Sequence, residues 1–106
     1  MSVVATLRFQ IHDTADNLVV TLMREMRFGI NPTVGHSFFP GSFGLAASKR
    51  FGLYFAIDSI EHGAVPADTE RQPEVHVVVR TKYRYTITDE DMAELASDGW
   101  HVMDCR

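Results

Sequence analysis

Apolar and polar residues alternate from Val3 to Ile11, with Val3, Ala5, Leu7, Phe9 and Ile11 at odd positions and Thr6, Arg8 and Gln10 between them. A period of two belongs to a strand with one buried face, so this segment reads as the first strand. At Asp13 and Thr14 the period changes. Ala15, Leu18, Val19, Leu22, Met23 and Met26 fall on one stripe of a helix of 3.6 residues per turn. Thr14 suits an N-cap, and Asp16, Arg24, Arg27 and Gly29 stand where the helix dipole and a left-handed C-cap favour them. The expectation is a helix running from Thr14 to the residues before Gly29.

Neither period persists from Phe28 to Gly52, a segment holding five of the seven Phe and five of the seven Gly. Pro40-Gly41 marks a turn, and Ser42 is placed to cap a short helix through Leu45, Ala46, Ala47 and Lys49 that stops at Gly52. Leu53 to Ile60 reads as a second strand with Leu53, Phe55 and Ile57 on one face, and Glu61 to Pro73 as a loop. The third strand, Val75 to Ile87, places Val75, Val77, Val79, Tyr83, Tyr85 and Ile87 opposite His76, Arg80, Lys82 and Arg84. Thr88 with Asp91 three residues on is a capping-box start. Met92, Leu95 and Ala96 then form a short apolar stripe that Ser97-Asp98-Gly99 ends. Trp100 to Cys105 makes a last strand.

The resulting order, β-α-β-β-α-β, predicts an α+β fold of the ferredoxin-like split βαβ type: a four-stranded antiparallel sheet, two helices on one face, and a Gly/Phe-rich insertion at 28–52 before the second strand. The usual strand order of that fold, 4-1-3-2, sets the first and third strands side by side in the centre. Leu7, Phe9, Leu22, Val77, Val79 and Trp100 are expected in one core. The open face is then expected to carry Arg8 beside His76, Arg80, Lys82 and Arg84. Like charges on neighbouring strands repel, so such a stripe calls for something acidic to answer it.

With 106 residues, 45% of them apolar and 23% charged, the chain is expected to form a single domain, 1–106, able to fold without disulfides. A formal charge of −4 argues against holding nucleic acid by bulk charge alone, though not against a local basic patch. Cys105 is the only cysteine, which excludes an intramolecular disulfide and a Cys-based zinc site. The first residues lack a basic and then apolar leader, and no run approaches the roughly 18 apolar residues of a membrane span. The expectation is therefore a cytoplasmic protein that does not contact a membrane.

Candidate chemistry is sparse. Gly35-His36-Ser37-Phe38-Phe39-Pro40-Gly41 has the wrong glycine spacing for a phosphate loop and no following Lys-Ser/Thr. Histidines 12, 36, 62, 76 and 101 show no metal-ligand spacing, and His36 with Ser37 lacks an orienting third group. Asp13, beside His12 at the end of the first strand, is explained by helix initiation, and a metal-binding carboxylate is the competing reading. Lys49-Arg50-Phe51-Gly52-Leu53-Tyr54-Phe55 resembles the octapeptide of RNA recognition motifs, whose aromatics stack on bases. In that family the octapeptide lies on the third strand with its aromatics on the open face. Here it enters the second strand, so no function is carried over.

No catalytic residue, metal site or cofactor is assigned. The leading expectation is a small non-catalytic binding protein, a regulator, inhibitor or adaptor, by analogy with phage or mobile-element proteins aimed at host machinery. Its contact residues would be Arg8, His76, Arg80, Lys82 and Arg84 on the sheet and Phe38, Phe39 and Phe43 in the insertion, since those three phenylalanines do not all turn inward easily from so irregular a segment. The competing reading of the insertion is a flap that closes one end of the core. A protein partner is favoured, nucleic acid is kept open, and a homodimer is compatible. The alternatives are a dimeric metal-dependent nuclease with Asp13 as ligand, and an acidic nucleic-acid mimic built on Asp89, Glu90, Asp91, Glu94 and Asp98 of the second helix.

Overall fold

The computed structural model describes residues 2–106. Strand β1, Val3–His12, runs down the middle of the sheet with Leu7, Phe9 and Ile11 fully buried, as its alternation requires. It turns through Asp13–Asn17 into β2, Leu18–Phe28, which pairs with it antiparallel along almost its whole length. The turn is held by Asp13: its Oδ1 accepts the N–H groups of Ala15 and Asn17, both at 2.9 Å. Its backbone N–H donates to the Asn17 carbonyl, and Asp16 takes the left-handed conformation at φ 67°, which Asp tolerates. Val19 is an extra residue on β2 opposite the step from Ile11 to His12, a β-bulge.

The expected first helix is therefore a strand. Of its apparent stripe, Leu22 and Met26 fall on the core face of the strand, where Val20 and Phe28, which the stripe left out, join them buried or half-buried against β1. Leu22 enters the core under either periodicity. The consecutive β-branched residues Val19, Val20 and Thr21 favour the extended form, and the ten-residue strand next to it supplies the backbone partners.

After a long excursion come α1, Leu45–Phe51, then β3, Ser59–His62, β4, Val75–Lys82, α2, Asp89–Ser97, and β5, His101–Asp104. The sheet order is β3-β4-β1-β2-β5, with β1 and β4 parallel and every other neighbour antiparallel. This five-stranded mixed sheet replaces the four-stranded antiparallel sheet of the ferredoxin-like expectation. The expected neighbours, β1 and the Val75 strand, are side by side, and β2 is inserted between β1 and the last strand.

The second and third strands are both shorter than their sequence patterns. Leu53–Asp58 is irregular because its backbone is used by the insertion: Phe38 N–H donates to Phe55 O, Gly35 N–H to Ile57 O, and Ile57 N–H to His36 O. Regular pairing resumes at Ser59 and extends to His62, into the expected loop. At the other strand, β4 stops at Lys82, with one further bond from Tyr83 N–H to His12 O.

One face of the sheet is covered by Ala46 and Ala47 of α1, Leu95 of α2, Phe43, Ile57, Ile87 and Trp100, which join Leu7, Phe9, Ile11, Val20, Leu22, Val77 and Val79 in a single apolar cluster. All six residues expected in one core are in it. Phe9 is the hub, with Phe43, Phe51, Phe55 and Trp100 edge-on around it at centroid distances of 4.8 to 6.3 Å. The predicted capping box of α2 is formed: Thr88 Oγ1 accepts Asp91 N–H, and Asp91 Oδ2 accepts Thr88 N–H.

Candidate functional site

The face away from the helices carries Thr6, Arg8, Gln10 and His12 of β1 in register with His76, Val78, Arg80 and Lys82 of β4. The basic stripe thus exists from Arg8 to Lys82. Each of its basic side chains has an acid within the chain. Arg8 is bonded to Glu61 of β3, and His76 Nε2 lies 3.2 Å from Glu74 Oε2. Arg80 Nε is 3.6 Å from Asp58 Oδ2, and Lys82 Nζ is 3.9 Å from Asp16 Oδ1. The acids answering the stripe come from β3 and from loops whose placement the sequence pattern did not give.

To reach Glu61, the Arg8 side chain crosses β4 at its register partner Val78, which is only 2% exposed although it points away from the main core. The apolar stem of Arg8 shields Val78 while its head pairs at the strand beyond.

Arg84 does not belong to the stripe, because β4 ends two residues earlier. Its guanidinium lies over the Tyr85 ring, 4.8 Å from the centroid, and Nη2 donates to the Tyr85 hydroxyl at 2.6 Å. Tyr85 is exposed rather than packed with the core valines, and Tyr83 is half-buried against Phe51. The octapeptide-like segment is also off the sheet: Phe51 ends α1, Tyr54 is exposed, and Phe55 stacks on Phe43.

The three phenylalanines of the insertion separate. Phe43 is buried, stacked on Phe55 at 5.1 Å with the rings 3° from parallel, and offers no surface to a partner. Phe38 is half-buried between Phe28 and Phe43. Phe39 is 88% exposed. The insertion closes the core with two of these rings and presents the third outward.

Phe39 stands on the rim of a cleft of about 440 Å³ lined by Phe28, Ile30, Pro32, His36, Phe38 and Ile57. Ile30, also on the rim, is 65% exposed. Pro32 is shared with a second concavity of about 260 Å³ against Val3, Val4, Ile60 and Val75, so the two lie at the end of the sheet where β1 begins and β2 finishes. This apolar corner brings two concavities and the exposed Phe39 and Ile30 together at one end of the sheet. Of the exposed Phe39 and Ile30 the sequence signalled only Phe39, because Ile30 sits in a segment with no period to show which way it points.

Several of the remaining candidates have partners within the fold. Both carboxylate oxygens of Asp13 accept hydrogen bonds inside its own turn, Oδ2 from the Asn17 amide. Chiefly the Asn17 N–H holds its carboxyl below the usual range. Its role is to shape a hairpin turn, where helix initiation was expected. Among the described residues no group of three or more His, Cys, Asp or Glu is placed to hold a metal ion. On α2, Asp91 and Glu94 both bond Arg50 of α1, and Asp89 pairs with Arg106 at 2.7 Å. The Thr88 N–H and then Arg50 hold the Asp91 carboxyl low, and Arg50 does so for Glu94. Much of the acidic helix is thus engaged in clasping α1 and the Arg106 segment.

Compared with protein-family models, with curated proteins and with solved structures, the chain matches none. Among the described residues no helix is long and apolar enough to cross a membrane.

Proposed function

We propose that this protein is a small non-catalytic binding module, a regulator, inhibitor or adaptor, that docks on another protein through the apolar corner at Phe39. The observation that carries the reading is the Phe39 ring, 88% exposed beside the 65% exposed Ile30 on the rim of an apolar cleft. Folding alone gives no return for exposing two large apolar groups side by side, whereas aromatic side chains flanking a pocket are the usual energetic anchors of protein interfaces. The sheet stripe supports a protein over a nucleic acid. A phosphate backbone binds by displacing counterions from free cations, and Arg8, His76, Arg80 and Lys82 are each answered by a carboxylate of the chain. In this reading the stripe is a polar flank beside the anchor.

The test is quantitative affinity capture from the native host, comparing wild type, Phe39→Ser with Ile30→Ser, and Arg80→Glu with Lys82→Glu. The expected result is a protein partner lost with the first pair of changes, kept with the second, and insensitive to nuclease. Capture that nuclease abolishes, or that survives the rim changes and fails with the charge reversals, would overturn it. So would divalent-ion-dependent nucleic-acid cleavage by the wild type that both chelator and Asp13→Asn eliminate.

A further inference from the structure

Strand β2 is eleven residues long, but β5 pairs only with Val20–Met23 of its outer edge. Beyond Arg24, where Trp100 has already turned toward the core, no backbone hydrogen bond among the described residues reaches the outer edge of Glu25–Phe28. Among the described residues no strand pairs with it. After Phe28, Asn31 and Pro32 lie against Ile60, His62 and Val75, so the connection leaves in the opposite direction, across the end of β1 toward β3. An open edge of this kind is a template for another strand.

We propose that this edge pairs antiparallel with the same edge of a second copy of this chain, Met26 facing Met26 across a two-fold axis. The register follows from the side-chain alternation. Residues opposed in a continuous sheet share a face, and on β2 Glu25 and Arg27 lie on the open face while Met26 and Phe28 lie on the core side. Centred on Met26, the pairing sets Glu25 of each copy against Arg27 of the other, opposite charges on the same face.

The neighbouring registers fail. Centred on Arg27 it opposes two arginines. Centred on Glu25 it opposes two glutamates and drives Arg27 toward Met23, whose edge His101 already occupies. Glu25 and Arg27 are both exposed, and among the described residues neither has an acid or base partner, the Arg27 guanidinium donating to the Ser2 hydroxyl at 3.1 Å. They are the charged pair that the stripe's cations are not. The helices of the two copies would lie on the same side of one continuous sheet. This inference is independent of the docking role of Phe39.

Sedimentation equilibrium over a concentration series tests it. The wild type is expected to form a dimer that both Glu25→Arg and Arg27→Glu weaken about tenfold or more, because each replaces attraction with like-charge opposition on both sides of the axis. Glu25→Arg combined with Arg27→Glu in one chain is expected to regain it, and mixing the two single variants to give a heterodimer. Since both side chains are exposed, unchanged far-UV circular dichroism and a cooperative thermal melt identify the variants as folded. In a Cys105→Ser background, Met26→Cys is expected to cross-link on oxidation, as directly opposed residues lie about 4.5 to 5.5 Å apart at Cα, within disulfide reach. Glu25→Cys is expected not to. A wild type that stays monomeric up to about 1 mM, single reversals without effect, or a double reversal that does not restore association would overturn the proposal.

Discussion

Replacing Phe43 by alanine tests whether the insertion is part of the core. The ring is 2% exposed and is surrounded by Phe9, Phe38, Phe55 and Trp100 at centroid distances of 5.0 to 6.0 Å. Its removal loses the transfer energy of a benzyl group and leaves a cavity walled by rigid rings that cannot collapse into it, which puts the cost at about 3 to 5 kcal/mol. A domain of this size has only about 5 to 15 kcal/mol to lose. Urea denaturation followed by tryptophan fluorescence suits the measurement, because Trp100 is itself buried in this cluster. At a slope of about 2 kcal/mol per molar, the midpoint is expected to fall by roughly 2 M with the slope unchanged. Phe39→Ala, four residues earlier and outside, is the control, expected within about 0.5 kcal/mol of wild type. A loss below about 1 kcal/mol for Phe43→Ala, or equal losses for the two variants, would refute the packing argument.

Arg8→Ala, which uncovers Val78, is expected to cost about 1 to 2 kcal/mol, and Arg8→Met less than half of that because the stem that shields Val78 remains; the same urea melts distinguish them. Thr88→Ala removes one side of the α2 capping box and is expected to cost about 1 kcal/mol, read as a shift in the denaturation midpoint. Asp13, Asp91, Glu94 and Asp104 all have carboxyls held below their usual range by hydrogen bonds or arginines, so their folded pKa values lie below the unfolded ones. The stability they contribute is present above about pH 4 and lost as pH falls through the folded values, so thermal melts are expected to fall steeply below pH 4 and to be less acid-sensitive in Arg50→Met.

What the sequence determined by itself was local in cause. The alternation of β1 and β4, the short helix ending at Gly52 and the capping box of α2 each depend on neighbours within a few residues, and each is found close to its expected place. The six core residues were also legible, because a large apolar side chain such as Leu22 is buried whichever periodicity its segment adopts. The tertiary structure decided the rest. Leu18–Phe28 carries apolar residues compatible with a helix or a strand, and it is the long edge of β1 on one side, with the short β5 on the other, that makes it extended. Of the acids that answer the stripe, Glu74 is two residues from His76, but Asp16, Asp58 and Glu61 lie far in sequence from Lys82, Arg80 and Arg8, and only the pairing of β3 with β4 and the turn at Asp13–Asn17 bring them near. In the insertion no period separates Phe43 from Phe39. Which of them turns inward depends on the space left between Phe9, Phe55 and Trp100, three rings that reach the same spot from different parts of the chain.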